Sequence, residues 1–306
     1  HQEGRPGKIN VSSHKKLDND QDLSLAYSPG VAAPVREIVK DPSAVNKYTI
    51  KGNLVAVITD GSAVLGLGNV GPLAAKPVME GKAVLFKRFA GIDVFNIELD
   101  TQDVDEIVNT IKNIAPTFGG INLEDISAPR CFEIEKRLID ELDIPVFHDD
   151  QHGTAIIVAA GLLNALEIQE KNFKEAKIVC AGAGSAGIAT LNLLLELGFS
   201  KDNILLVDRN GVVSIKSENL SKEKLTFAAD TDKKTLSDAI DGSDVFIGVA
   251  RGNLVTQEMV KSMAKRPIIF ALSNPDPEIS PVDVYACRDD VLMATGRSDY
   301  PNQVNN

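Results

Sequence analysis

The stretch AKIVCAGAGSAGIATLNLLLELGFSKDNILLVD, residues 176–208, decides the fold. An apolar, β-branched run leads into GAGSAG (182–187), and SAGIATLNLLLELG follows with helical periodicity. A second apolar run, NILLVD, ends on Asp208, 21 residues after Gly187. A glycine loop between strand and helix, followed by a strand ending in an acid, is the fingerprint of a dinucleotide-binding turn. Gly182 permits the tight turn, Gly184 lets a pyrophosphate approach the backbone, and Gly187 lets helix and strand pack closely. Ser185 and Ala186 open the helix, whose free N–H groups and positive dipole end favour an anion. Asp208 suits a free ribose 2′-hydroxyl and so tilts the reading to NAD, whereas the adjacent Arg209 can hold the 2′-phosphate of NADP.

The same alternation extends in both directions. Downstream, DVFIGV, PIIFALS and VLMAT read as strands separated by helical segments. Upstream, NLVAVITDG, DVFNIEL, GGINLEDI and IPVFHDD read as strands, and PLAAKPVMEGKAVLFKRFA as a helix that kinks or restarts at Pro77. SPGVAAPVREIVKDPSAV suggests a turn and a short helix, and residues 1–22 are polar enough to be extended. A βα series of this kind implies α/β architecture with mainly parallel sheets. The segment 153–168, GTAIIVAAGLLNALEI, is apolar almost all round, as expected of a buried helix joining two lobes. We therefore expect an N-terminal α/β domain at 1–152 and a Rossmann-type domain at 153–306.

Residues 66–71, GLGNVG, repeat the glycine spacing without its context. The preceding strand is separated from them by SAVL, and the next acid, Asp93, opens a strand instead of ending one. This loop is expected to serve packing, at the start of the helical segment that carries Lys82.

Composition narrows the function. The 306 residues carry 32 Lys and Arg against 43 Asp and Glu, a net charge of −11, which disfavours any sequence-independent grip on nucleic acid. No apolar run approaches the ~18 residues needed to cross a bilayer, and the first residues lack a signal pattern. Cys131, Cys180 and Cys287 form no C-x-x-C pair and read as reduced thiols of a cytoplasmic protein.

Three acids, Glu124, Asp125 and Asp150, end predicted strands of the first domain, where α/β folds collect ligands. Converging carboxylates repel one another unless a hard divalent cation such as Mg²⁺ or Mn²⁺ joins them, although strand-end acids also serve as caps or solvated loop residues. His148 and His152 have the i, i+4 spacing of a zinc pair but lack the intervening Glu of H-E-x-x-H.

Eight collinear motifs carry a resemblance. AYSPGVAAP (26–34), VITDGSAVLGLGNVG (57–71), KPVMEGKAVLFKRFAGIDVFNIEL (76–99), INLEDI, VFHDDQHGTA, AGAGSAGIA, SNPDPE (273–278) and ATGRSDYPNQVNN (294–306) together resemble malic enzyme of the short bacterial form, from about residue 20 onward. The resemblance implies oxidative decarboxylation of L-malate to pyruvate and CO₂, with NAD or NADP as hydride acceptor, Mg²⁺ or Mn²⁺ as metal, and a homodimer. By motif position it makes Glu124, Asp125 and Asp150 the metal ligands and Asp149 an auxiliary acid. It makes Lys82 the base at the C2 hydroxyl and Tyr27 the acid that protonates C3 of the enolate. Asn274, with Asn305 or Asn306, matches the asparagines near substrate and nicotinamide. A lysine ordinarily titrates near about 10.4. Beside a divalent cation and away from water its charged form is disfavoured, which suits Lys82 to proton removal.

Two departures stand out. Ala63 occupies the place where other branches carry a substrate-clamping arginine, and the family continues past the final Asn-Asn pair, so this chain, which also lacks an initiating Met, is expected to be a portion of a longer polypeptide. The alternatives are a metal-dependent dehydrogenase of another 2-hydroxy acid, and a catalytically inactive dinucleotide sensor.

Overall fold

The computed structural model describes residues 4 and 6–306 and divides into two compact units. The first contains residues 1–62, 69–126 and 133–147, and the second 63–68, 127–132 and 148–306. The expectation for residues 1–22 falls partly on positions 1–3 and 5, which lie outside the described residues.

The first unit is built on a four-stranded sheet of β1 (Leu54–Thr59), β2 (Asp93–Glu98), β3 (Gly120–Leu123) and β4 (Val146–His148), in the order β2-β1-β3-β4. β1 pairs in parallel with both β2 and β3, so Val55 lies opposite Val94 on one side and Gly120 on the other. A central strand covered on both faces must be apolar throughout, which is why LVAVIT lacks the alternation of a half-exposed strand. Helices α1 (Asp20–Ala26), α2 (Ala32–Lys40) and α3 (Val45–Tyr48) precede the sheet. α4 (Pro72–Leu85) follows β1 as one continuous helix through Pro77 and does not restart there, then passes into a single π turn at Phe86–Ala90. α4 buries Ala75, Met79 and Ala83, a spacing of four that lays one stripe against the sheet. α5 (Val104–Ile114) is started by Asp103, whose carboxylate accepts the Glu106 N–H at 2.9 Å, and buries Ile107, Val108 and Ile111. α6 (Arg130–Glu141) leads to β4.

The second unit holds six strands in the order β10-β9-β8-β5-β6-β7. These are β5 (Ile178–Ala181), β6 (Ile204–Asp208), β7 (Gly211–Val212), β8 (Val245–Gly248), β9 (Ile268–Ala271) and β10 (Leu292–Thr295). The first turn of the chain through this sheet goes from β5 outward to β6, and the chain then crosses back to β8, β9 and β10 on the other side. The crevice beyond the carboxyl ends of β5 and β8 is thus a topological switch point, where such sheets bind ligands. β7 alone runs antiparallel, a two-residue hairpin strand closing the edge at β6.

Helices α7 (Thr154–Ile168), α8 (Ser185–Glu196), α9 (Lys222–Leu225), α10 (Leu236–Ile240), α11 (Gln257–Ser262) and α12 (Pro281–Tyr285) complete this unit. Alternate residues of each strand feed two separate cores. Ile178 and Cys180 join Leu162, Leu191 and Phe270 in one, while Val179 and Ala181 join Phe246, Ile269 and Met293 in the other. Burial pushes the Cys180 thiol up to about 12, with the Glu278 carboxylate adding to the effect. α7 differs from the all-round burial its composition suggested. It buries Val158, Leu162 and Leu166 but leaves Ile156, Leu163 and Ile168 exposed.

Candidate functional site

Parallel pairing sets the acids of the first unit. β3 continues one residue past its last strand position, where the Glu124 N–H donates to the Ile58 carbonyl at 2.9 Å, so Glu124 is fixed at the strand end. Asp125 follows with φ 55°, a left-handed conformation that Asp tolerates better than most residues and that turns the chain sharply. Both are buried, at 4% and 5% exposure. Lys82, on the third turn of α4, brings its Nζ to 3.1 Å from Glu124 Oε1, and Asn122 Nδ2 donates to Glu124 Oε2 at 2.9 Å. Two adjacent carboxylates taken out of water cost several kcal/mol each unless compensated, as a rough guide.

Tyr27 caps the C-terminus of α1 through its main chain, while its ring is 70% exposed and its hydroxyl makes no hydrogen bond to any described residue. It is therefore the one predicted catalytic residue of the first unit that the structure leaves in the open.

In the second unit, Asp149 and Asp150 lie on a π turn, Asp149–Gly153, between β4 and α7. Asp149 Oδ2 accepts from Asn306 Nδ2 at 2.6 Å, and a Cβ on Gly153 would fall 2.1 Å from Asp149 Oδ1. The tail reaches this position because Thr295 of β10 accepts the Val304 N–H at 2.8 Å and Val304 enters the core, with exposed Asn305 between it and Asn306.

The GAGSAG loop has the geometry its spacing implies. Gly182, at φ 120°, would carry a Cβ 2.5 Å from the Val249 carbonyl, and a Cβ on Gly187 would lie 1.8 Å from the Gly182 carbonyl. At Gly184 nothing lies within 4 Å, so the backbone is open to a ligand there. α8 starts at Ser185 with no side chain capping it, leaving the Ser185 and Ala186 end available to an anion. Beside this loop a cavity of about 910 Å³ is lined by Gly182, Asp208, Arg209, Lys224, Lys234 and Arg251, among others. Asp208 is already engaged: its Oδ1 accepts from the Asn210 N–H at 2.8 Å and its Oδ2 meets Lys224 Nζ at 2.5 Å. Lys224, Lys234 and Arg251 carry no spacing signal in the sequence, since they come from α9 and from two loops.

Asn274 belongs to the loop after β9. Its Nδ2 is 3.4 Å from the Gly296 carbonyl and 3.5 Å from that of Leu272, and a Cβ on Gly66 would stand 2.6 Å from its own carbonyl oxygen. The second glycine motif thus presses against the Asn274 loop through Gly66. Its other end closes on β1, where Gly61 O accepts the Val70 and Gly71 N–H groups at 3.1 Å just before α4.

Comparison with known proteins agrees with this arrangement. The family model for the malic enzyme N-terminal domain matches residues 6–139, and that for the malic enzyme NAD-binding domain matches residues 151–306. A NADP-dependent malic enzyme of Halomonas elongata is 58% identical over 301 residues, which cover 98% of this chain and 71% of that protein. NADP- and NAD-dependent malic enzymes of Rhizobium meliloti are 57% and 55% identical over the whole chain, which spans only 40% of the length of each. Among solved structures, a NAD-dependent malic enzyme of Thermotoga maritima superposes with a TM-score of 0.91 at 47% identity, covering 98% of this chain and 80% of the other. The malic enzyme of Entamoeba histolytica gives 0.93 at 37% identity, with 98% and 65% covered. The chain belongs to the malic enzyme family.

Proposed function

We propose that the protein catalyses NAD(P)-dependent oxidative decarboxylation of L-malate to pyruvate and CO₂. The observation that carries the reading is the Lys82–Glu124 pair, with Lys82 Nζ 3.1 Å from a buried strand-end carboxylate that is followed directly by buried Asp125. Glu124 and Asp125 fit a hard divalent cation by donor chemistry, and Asp150 is the third ligand of the proposal. Mg²⁺ or Mn²⁺ bound there would supply Lewis acidity at the C2 oxygen of malate. Lys82 removes the C2 hydroxyl proton as the C2 hydride passes to the nicotinamide. CO₂ leaves from C4, and Tyr27 delivers a proton to C3 of the enolate, a role resting on its motif position. Asp149 is assigned as the auxiliary acid, and its bond to Asn306 ties the tail to that acid. Asn274, Asn305 and Asn306 are assigned to substrate and nicotinamide. The domain division expected near residue 152 is part of the same proposal.

The cavity by Asp208 favours NADP over NAD. Arg209, Lys224, Lys234 and Arg251 set four cations against a single carboxylate that Lys224 already neutralises, a balance suited to a 2′-phosphate. Two further parts of the proposal are a cytoplasmic setting, consistent with three free cysteines, and a homodimer. α1, α2 and α3 have no buried residue yet expose Leu25, Val35, Val39 and Tyr48, an apolar surface that a second copy would cover. Among the described residues no helix is long and apolar enough to cross a membrane.

The test is a spectrophotometric assay of malate with Mn²⁺, run in parallel with NAD⁺ and NADP⁺, with CO₂ release measured. Turnover with CO₂ release, stopped by a chelator and restored by added Mn²⁺, is expected. Oxidation without CO₂ release would transfer the protein to the 2-hydroxy-acid dehydrogenases, and full activity in excess chelator would remove the role given to the carboxylates.

A further inference from the structure

Glu278 closes the SNPDPE stretch and is completely buried. Its two carboxylate oxygens go to different loops: Oε1 accepts the Ala250 N–H at 3.0 Å, and Oε2 accepts the Ser273 N–H at 3.1 Å. Ala250 stands two residues beyond the end of β8, and Ser273 two residues beyond the end of β9. The Glu278 carbonyl adds a third tie, accepting from the Leu254 and Val255 N–H groups at 2.8 and 2.9 Å. The carboxyl group lies flat against β8, since a Cβ on Gly248 would come within 2.4 Å of its carboxyl carbon. Burial pushes the Glu278 carboxyl above its ordinary range while the two N–H groups act against the shift.

A buried carboxylate is an expensive way to fill space, and a glutamine would occupy almost the same volume without the charge. What glutamine lacks is the second acceptor: one end of its amide is a donor and would face a main-chain N–H. Two N–H groups converging from two loops therefore select the carboxylate. Both loops leave the same carboxyl edge of the sheet as the GAGSAG turn. One leads into Arg251, which lines the dinucleotide cavity, and the other into Asn274.

We propose that Glu278 is a positioning residue that locks the β8 and β9 loops together, so that Asn274 is held for the nicotinamide end of the dinucleotide. The proposal rests on the dinucleotide reading of the second unit. It acts mainly at one end of the ligand, because the GAGSAG turn and Asp208, which hold the adenosine end, make no hydrogen bond to Glu278, whereas Ala250 and Leu254, which do, only border the cavity at Asp208.

The experiment uses the full-length protein and two probes, NADPH and 2′-phospho-ADP-ribose, which differ in the nicotinamide alone. Calorimetric titration of wild type, Glu278→Gln and Glu278→Asp is expected to show 2′-phospho-ADP-ribose affinity within twofold throughout. NADPH affinity falls tenfold or more in Glu278→Gln and is partly recovered in Glu278→Asp, which restores two acceptors. Should the Gln variant fail to fold, the Asp variant alone shows a selective loss for NADPH. Equal losses for both probes would make Glu278 a general support of the unit, and unchanged NADPH affinity would remove its role; either overturns the proposal. A wild type that binds NADPH but does not oxidise malate sinks the malate reading and leaves Glu278 standing. Binding of neither probe sinks the dinucleotide reading and the proposal together.

Discussion

Lys82 and Lys224 make opposite use of the same chemistry. Lys82 lies beside the buried Glu124 in the first unit and in the proposed reading takes up a proton there, whereas Lys224 meets Asp208 at the cavity beside the GAGSAG loop and in that reading keeps its charge. Lys82→Ala is expected to lower malate oxidation by about 10²- to 10⁴-fold, the usual yield of a positioned acid or base. Dinucleotide affinity, read by fluorescence titration, should stay intact; turnover near wild type would exclude Lys82 as the base. Lys224→Ala is expected to raise the KM for NADP⁺ by about tenfold, the loss of one charge-assisted contact of ~1.4 kcal/mol or more. The KM for NAD⁺ should move far less, and equal effects on both would show that Lys224 serves structure alone. The glycines, Asp208 and the acids at strand ends were legible in the sequence because spacing fixes their place in a βα unit. Lys224 was not: it stands on a four-residue helix inside a polar stretch with no period, so the sequence weighed only Asp208 against Arg209 at that place. Glu278 escaped for another reason, since nothing in a proline-rich hexapeptide marks its glutamate as buried.

At the scale of elements, the long periodic segments were readable and the short ones were not. β5, β6, β8, β9 and β10 coincide with their apolar runs because each is buried on both faces. β7 has two residues and no pattern of its own; it exists because the turn after Asp208 folds back onto β6. α7 shows the limit of periodicity in the other direction, since a helix apolar all round need not be covered all round within its own chain. GLGNVG is the most instructive element. Its sequence suggested packing around the Lys82 helix, and Gly61 with Gly71 does serve the start of α4, but Gly66 faces the Asn274 loop. Gly66→Ala would force a Cβ to 2.6 Å from the Asn274 carbonyl. Overpacking of this kind costs about 1–3 kcal/mol. A fall of that size in chemical denaturation, together with a raised KM for malate, is expected; a variant with wild-type stability and kinetics would show that the contact is slack.

At the scale of the whole molecule, a net charge of −11 sits with three N-terminal helices that bury none of their residues. Scattered apolar side chains on a surface need no explanation, but whole helices without a core do. Sedimentation equilibrium is expected to give twice the chain mass. Val35→Asp with Val39→Asp on α2 should shift it to the monomer, and a wild type that sediments as a monomer at micromolar concentration would remove the dimer from the proposal. The α/β class was legible because βα alternation runs the length of the chain, whereas the charged stretch at 169–176 lies inside the second unit and marks no division between the two.

The burial of Cys180 gives the second unit a built-in clock. A thiol held at about 12 in the centre of the sheet presents almost no thiolate to solvent, so an alkylating reagent reaches it only when β5 opens. Its labelling rate therefore counts openings of the strand that carries the dinucleotide loop, whereas the partly exposed Cys287 reacts without waiting for them. Any ligand that binds the closed sheet alone slows the clock in proportion to the loss of unliganded protein, by about a hundredfold at a hundred times its dissociation constant. Thiol chemistry, silent in the reaction itself, becomes a gauge of which dinucleotide the protein prefers.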